Sequence, residues 1–168
     1  FTRNHNLEFV GRVLRQARRA VGPELPLHLF GAGDPVEIPF LAACGADVFD
    51  SSSYAHYARG GYYMTPYGAV QLGQPASPPH PKPLPPGGKG IVCGCPVCRD
   101  VDGPGELFGD VAGLALHNLW TITDTMRRVR EAIAADRLEA MLDEVLRRHM
   151  QWFPESVLQP SWDALDDG

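Results

Sequence analysis

Apolar residues recur every three or four positions in the C-terminal third of the chain. One such run covers residues 113–133 and a second covers residues 138–146. This spacing gathers apolar side chains on one face of a helix, so the pattern predicts two amphipathic helices. A third is predicted near the start, over residues 7–14, with Asn6 as its N-cap. The proline-interrupted, acidic segment 152–168 is predicted to be irregular.

Upstream of these helices, two short apolar runs flank a helical stretch. Residues 27–30 and 46–50 have the character of strands, and residues 36–43 between them are predicted to be helical, with Gly45 as the stop signal. Strand, helix and strand with short connections is typical of parallel α/β architecture. We therefore expect the two strands to lie side by side in parallel, with the outer edge of the first left open.

Polar residues follow both predicted strands. Residues 31–34 and 50–53 occupy their carboxyl ends, where active residues collect in parallel α/β folds. Asp50 is the candidate for chemistry, although by spacing alone a helix N-cap or a loop aspartate is the favoured interpretation. If Asp50 acts as a carboxylate, the hydroxyls and backbone donors of residues 51–53 are expected to support its charge.

Three cysteines and a histidine have the spacing of metal ligands. Cys93, Cys95 and Cys98 lie within six positions, and His117 follows in a predicted helix. Zinc binds four such ligands as a tetrahedron, and a complete Cys₃His set predicts a structural zinc rather than a catalytic one. The alternatives are a disulfide with spare thiols, or a redox-active Cys-x-x-Cys pair.

Five short motifs, in order along the chain, resemble the tRNA-guanine transglycosylase family, and most closely its archaeal branch, which makes archaeosine precursors. They are HLFGAG at 28–33, GADVFDS at 45–51, YMTPYG at 63–68, CGCPVC at 93–98 and LHNL at 116–119. The resemblance covers most of residues 26–149. It implies the C-terminal portion of an α/β TIM (β/α)₈ barrel with an inserted zinc-binding subdomain and C-terminal helices.

The resemblance also implies an activity, in which guanine in a nucleic acid, most readily tRNA, is exchanged for a 7-deazaguanine base. Asp50 matches the family's nucleophile, which attacks the ribose C1′ to form a covalent glycosyl-enzyme. Phe30 and Gly31 match positions that contact the base. Two alternatives stay open: the same exchange on DNA, and a non-catalytic zinc-containing subunit that completes a partner's barrel.

The length of the chain limits what it forms alone. A barrel of this type needs about 250 residues, whereas this chain has 168. We therefore expect a missing N-terminal half or a partner chain to complete the barrel. The predicted division is as follows: residues 1–73, the last β/α units; residues 74–91, a Pro/Gly-rich insertion; residues 92–150, the zinc subdomain and terminal helices; residues 151–168, an irregular tail. The insertion is predicted to be an exposed loop or, alternatively, a loop that contacts substrate.

Composition adds limits on partners and setting. The formal net charge of −5 is unfavourable for a nucleic-acid binder, so phosphate contacts would need local positive charge. Two arginine clusters, at positions 3–19 and 127–148, are candidates, although each also fits a solvated helix face. No secretory signal or membrane-spanning run is present, and no disulfide is needed, because Cys44 is predicted to be a small buried residue. These features predict a reducing, cytoplasmic setting and no membrane partner.

Overall fold

The computed structural model describes residues 6–73 and 93–166. Six helices and four short strands follow one another along these ranges. They are α1 (Leu7–Val21), β1 (His28–Leu29), α2 (Ile38–Ala43), β2 (Val48–Phe49), α3 (Ser53–Arg59), β3 (Tyr62–Thr65), β4 (Gly68–Gln71), α4 (Val111–Ala134), α5 (Leu138–Trp152) and α6 (Leu158–Asp166). Two short 3₁₀ turns, Cys98–Asp100 and Pro104–Leu107, precede α4. The described part of the chain is thus a mostly helical α/β structure.

The predicted strand, helix and strand unit is confirmed. β1 and β2 pair in parallel, with His28 opposite Val48 and Leu29 opposite Phe49. The strands are shorter than predicted, two residues each, because the chain turns into loops directly after Leu29 and Phe49. Helix α2 connects them, and its apolar side packs into the core. Both strands therefore deliver the residues that follow them to the same edge of the sheet.

Helix α1 begins where the sequence predicts and extends further. The Asn6 side chain accepts a hydrogen bond from the Phe9 N–H at 3.0 Å, which is an N-cap. The helix continues to Val21, seven residues beyond the predicted stretch, and buries Leu7, Gly11 and Leu14. The added turns carry Arg15 and Arg18, which bind backbone carbonyls elsewhere in the chain.

Those arginines belong to the first of the two basic clusters. Arg15 donates to the carbonyl of Leu165 at 2.6 Å and lies over the ring of Trp162. Arg18 donates to the carbonyls of Gly22 and Gly45 and pairs with Asp47. Neither interpretation proposed from the sequence, a solvated face or a phosphate-binding patch, describes these two side chains. Their hydrogen bonds hold α1 against α6 and against the loop before β2.

An antiparallel hairpin, β3 and β4, follows α3, and the sequence pattern had assigned no structure to either strand. Tyr63 pairs with Val70 and Met64 with Ala69 across the hairpin. At its turn the Thr65 hydroxyl donates to the Gly68 carbonyl at 2.7 Å, and Gly68 has φ of 134°, which favours glycine. The short strands lack a clear alternation of apolar and polar residues, because three successive residues of β3 are buried.

The C-terminal segment corrects one prediction. Residues 158–166 form helix α6 rather than an irregular tail. Pro160 lies in the first turn, where a helix N–H has no intrahelical partner, so the proline does not break the helix. Burial of Leu158 and Leu165 in the core and an edge contact between Trp162 and Phe40 stabilise it. Tertiary packing outweighs the proline and aspartate content of the segment.

Two clusters of buried apolar residues organise the described residues. The larger joins α1, α2, α5 and α6, and Cys44 is buried in it as predicted. The smaller lies under the hairpin and the start of α4 and includes Tyr63, Leu107 and Leu114. The four strands in the described ranges form two separate two-stranded sheets and no closed barrel. The predicted insertion at 74–91 lies outside the described residues. No helix within the described ranges is both long and apolar enough to cross a bilayer.

Candidate functional site

A pocket opens at the carboxyl ends of β1 and β2. Its volume is about 600 Å³, and it is lined by residues from the loops after both strands and from the first turn of α3: Phe30, Gly31, Asp50, Ser51, Ser52 and Tyr54. The predicted nucleophile Asp50 and the two predicted base contacts, Phe30 and Gly31, are thus brought together although nineteen to twenty positions separate Asp50 from the other two. Phe30 is 78% exposed, so its ring is available as a flat apolar surface.

Asp50 is held by the opposite loop. The Gly31 N–H donates to Asp50 Oδ1 at 2.7 Å, and His28 Nε2 lies 3.8 Å from the same oxygen. The His28 ring in turn lies against Phe30, with ring centroids 4.3 Å apart. The carboxylate is about half exposed, so Oδ2 is available to a ligand in the pocket.

The serines after Asp50 play a different part from the one predicted. Ser51 Oγ accepts a hydrogen bond from the Ser53 N–H at 3.0 Å, which stabilises the start of α3. Gly33 lies so close that a Cβ there would be 2.3 Å from Ser51 Cβ. The two loops are thus packed tightly against each other. The backbone donor that reaches Asp50 is the Gly31 N–H of the β1 loop and not an N–H of residues 51–53.

A buried acidic pair lies behind the β1 loop. Asp34 accepts a hydrogen bond from the Tyr57 hydroxyl at 2.7 Å, and Glu37 is 3% exposed. Burial, and secondarily the charge of Asp34, raises the pKa of Glu37 from 4.5 to about 8. These two carboxyl groups were not singled out from the sequence, because nothing in a Gly-Asp-Pro-Val-Glu run indicates that both become buried.

The predicted metal ligands converge on one point. The ligand atoms of Cys93, Cys95, Cys98 and His117 all lie within 4.8 Å of one another. His117 Nδ1 lies 3.6, 3.5 and 3.3 Å from the three sulfurs in that order. A zinc tetrahedron with ordinary Zn–S and Zn–N bonds has a sulfur–nitrogen edge of about 3.6 Å. The cluster is therefore consistent with a zinc site.

The other imidazole nitrogen of His117 is held by a backbone carbonyl. His117 Nε2 lies 2.9 Å from the Met64 carbonyl, to which it donates, and this tautomer leaves Nδ1 free for a metal. The Tyr63 ring stacks on the imidazole with centroids 3.7 Å apart and an angle of 14° between planes. His117 lies within helix α4, as the sequence predicts. Helix α4 begins at Val111 because Asp110 caps it by accepting from the Gly113 N–H.

The three thiols of the cluster differ in the direction in which their pKa values are shifted. The hydrogen bond with Cys98 lowers the pKa of Cys93 to about 3, while the same contact, together with burial, raises the pKa of Cys98. Burial also raises the pKa of Cys95. The cluster therefore forms one thiolate readily, and the other thiols lose their protons more readily when a cation compensates their charge. Metal binding at such a site releases protons.

The structure adds residues that the sequence analysis did not assign. Tyr54 lines the pocket, and His28 faces Asp50. The Tyr63 hydroxyl oxygen lies 3.3 Å from Cys98 Sγ, and the pKa of Tyr63 is raised, mainly by burial. These three residues stand inside or close to the recognised motifs, so proximity to a motif was the available signal.

Comparison with known proteins identifies relatives. The queuine tRNA-ribosyltransferase family matches residues 3–151. The tRNA-guanine(15) transglycosylase of Aeropyrum pernix is 41% identical over 129 residues, which cover 74% of this chain and 22% of that protein. Those of Pyrococcus abyssi and Methanopyrus kandleri are each 35% identical, over 82% and 83% of this chain and 22% and 28% of their own lengths.

The chain thus spans about a quarter of the length of the curated relatives it matches. The family match nevertheless extends over most of the chain and includes the pocket and the Cys₃His cluster. By this match, the chain belongs to the queuine tRNA-ribosyltransferase family.

Proposed function

We propose that this chain carries the nucleophile-bearing part of a base-exchange transglycosylase. The enzyme replaces guanine in a nucleic acid by a 7-deazaguanine base, and we propose tRNA as this nucleic acid. The observation that carries this proposal is the pocket in which Asp50, anchored through Oδ1 by the Gly31 N–H, faces the exposed ring of Phe30. A carboxylate beside an apolar surface suits a reaction at the bond between a sugar and a flat base.

The proposed reaction proceeds by double displacement. Asp50 Oδ2 attacks the ribose C1′ while the bond from C1′ to the guanine nitrogen breaks. The electron pair of that bond leaves with guanine, whose nitrogen takes up a proton from water. A ring nitrogen of the incoming 7-deazaguanine then attacks C1′ and gives its proton to water, and the bond to Asp50 breaks to restore the carboxylate. Retaining glycosidases use a carboxylate in this way, because it captures an oxocarbenium-like centre and leaves again.

Phe30 and Gly31 are proposed to hold the base. The Phe30 ring is 78% exposed and offers an apolar face for stacking. Gly31 has φ of 72°, and no atom lies within 4 Å of the position of a Cβ there, so the backbone leaves room for a ligand. A side chain at residue 31 would project into open space on the ligand side and would strain the backbone.

The Cys₃His cluster is proposed to hold one structural zinc through Cys93, Cys95, Cys98 and His117. These four ligands complete the tetrahedron, and zinc when bound would supply folding energy rather than an activated water. The three cysteines of the cluster form no disulfide, which fits metal thiolates. We infer a reducing compartment, the cytoplasm, from this use of cysteine.

The rest of the barrel is proposed to come from further sequence or from a partner chain. In the described residues, β1 and β2 form a parallel sheet of only two strands, and Val48 is 44% exposed. Parallel sheets are normally larger and covered on both faces. A neighbouring strand beside them would extend the sheet toward a (β/α)₈ barrel. The division at residues 73 and 92 into barrel units and a zinc subdomain is part of the same proposal.

A chimera tests the function directly. This chain would replace the matching segment of the Aeropyrum pernix relative, and the product would be assayed for incorporation of labelled guanine into tRNA and, separately, into DNA. Incorporation into tRNA alone supports the proposal, and incorporation into DNA favours the alternative substrate. A folded, zinc-loaded chimera that incorporates no guanine into either would refute catalysis by this chain and favour the non-catalytic subunit.

A further inference from the structure

We infer that Asn118 is a positioning residue that couples the metal cluster to the wall of the pocket. Asn118 is fully buried, and its side chain bonds to three backbone groups on two other elements. Its Oδ1 accepts from the Met64 N–H at 2.9 Å, and its Nδ2 donates to the carbonyls of Tyr62 and Tyr54 at 3.0 and 3.2 Å. An amide with a donor and an acceptor end suits this bridge.

The first half of the coupling lies at Met64. Its carbonyl accepts from His117 Nε2 at 2.9 Å, and its N–H donates to Asn118. Two adjacent residues of α4 therefore hold both polar groups of one residue of β3. Because His117 is also a metal-ligating candidate, an ion that fixes the imidazole fixes the register of β3 on α4 at the same time.

The second half of the coupling lies at Tyr54. This residue is in the first turn of α3 and lines the pocket beside Ser51 and Ser52. The bond from Asn118 Nδ2 to its carbonyl ties that turn to α4. The chain of contacts thus runs from the cysteines through His117 and Asn118 to the segment that follows Asp50. A change in the position of α4 at the metal would move this pocket wall.

This inference rests on the proposed zinc site and pocket, and hydrogen exchange tests it without an activity assay. The chain is compared with zinc bound and after removal of zinc by a chelator. Amides in residues 51–57 and 62–65 are expected to exchange about tenfold faster or more without zinc, the effect of losing the hydrogen bonds of this bridge. Amides of α5 are expected to be unchanged. Unchanged exchange at 51–57, or equal acceleration throughout the chain, would overturn the coupling.

Substitution isolates the residue. Asn118→Asp keeps the acceptor for Met64 and removes both donors. We expect it to retain one zinc per chain and to show fast exchange at 51–57 even with zinc bound, with little further change on zinc removal. Thr125→Val, a near-isosteric change at another buried α4 residue, should keep the zinc-dependent pattern. Zinc-dependent protection at 51–57 that persists in Asn118→Asp would refute the role of Asn118.

A third measurement separates this inference from the proposed function. Binding of guanine to the zinc-loaded chimera with the Aeropyrum pernix relative is measured by calorimetry, and Asn118→Asp is expected to weaken it several-fold. Binding equal to that of the unaltered chain would contradict a positioning role. If the chimera with the unaltered chain binds no guanine, the proposed function fails, while the exchange comparison still decides the coupling. If Asn118→Asp does not fold, the comparison of the unaltered chain with and without zinc decides it alone.

Discussion

The Gly31 N–H donates a hydrogen bond of 2.7 Å to Asp50 Oδ1, which joins the loops at the ends of two parallel strands. This bond fixes the carboxylate on the side of the pocket where Phe30 is exposed. It also distinguishes the two carboxylate oxygens, because Oδ1 is engaged and Oδ2 is left for a ligand. The chemistry proposed for Asp50 depends on this orientation.

Asp50→Asn should abolish guanine exchange in the chimera with the Aeropyrum pernix relative. An amide keeps the shape of the carboxylate but is a far poorer nucleophile, so the rate should fall by about a thousandfold or more. Gel analysis should trap a covalent nucleic-acid adduct with the unaltered chimera and none with the Asp50→Asn variant. Asp47→Asn is the matched control, because Asp47 pairs with Arg18 and does not line the pocket. Exchange at a near-normal rate in Asp50→Asn would show that another group is the nucleophile.

Cys95→Ser should lower the zinc content from one ion per chain and destabilise the protein. Cys95 is fully buried, and its Sγ also accepts from the Cys98 N–H. Structural zinc binding contributes on the order of ten kcal/mol of apparent free energy, so loss of one ligand should cost several kcal/mol. Metal analysis and thermal unfolding measure both effects. Cys44→Ala is the matched control, because Cys44 is buried in the other core, and this variant should keep one zinc per chain. An unchanged zinc content in Cys95→Ser would remove Cys95 from the ligand set.

Glu37→Gln should stabilise the protein at alkaline pH. The pKa of Glu37 is raised to about 8 in the folded state, whereas the ordinary value is 4.5. Between these values the unfolded chain releases the proton that the folded state keeps, so stability falls as pH rises from about 4.5 to 8. Glutamine cannot ionise, so the stability of the variant lacks this pH dependence. The free energy of unfolding of the variant relative to that of the parent should therefore be higher at pH 8 than at pH 5, by on the order of a few kcal/mol. Urea unfolding across this range tests it, and equal pH slopes for parent and variant would contradict a raised pKa.

Gly11→Ala should have opposite effects in two backgrounds. A Cβ at residue 11 would lie 2.5 Å from Leu165 Cδ1, so the substitution should destabilise the contact between α1 and α6. Leu165→Ala alone should cost about 2–4 kcal/mol, because Leu165 is buried. In that background the clash with Leu165 disappears and only a contact of 3.2 Å with Cys44 Sγ remains, so alanine should add up to about 1 kcal/mol through its helix propensity. Thermal unfolding of the four proteins gives the coupling, and additive effects would mean that residue 11 does not meet α6.

The amino-acid sequence by itself determined the features that depend on local spacing. Three thiols within six residues come close together in a tight loop, so the grouping of Cys93, Cys95 and Cys98 was predictable, and His117 followed from its position in the predicted helix downstream. The parallel pairing of β1 and β2 was predictable for the same reason, since a short helix between two short strands allows little else. The pocket at their ends followed from this topology.

Only the tertiary structure decided the features that depend on contacts between distant residues. Helix α6 forms because Leu158 and Leu165 enter a core built by α1, α2 and α5, which outweighs a proline-containing, acidic local sequence. Arg15 and Arg18 bind backbone carbonyls rather than the phosphates considered from the sequence, because α6 and the loop before β2 fold against α1. Asn118 becomes a bridge because its amide meets three backbone groups, from residues 54, 62 and 64, that lie more than fifty positions away along the chain. Periodicity records which face of an element is apolar, but not which polar groups that face will meet.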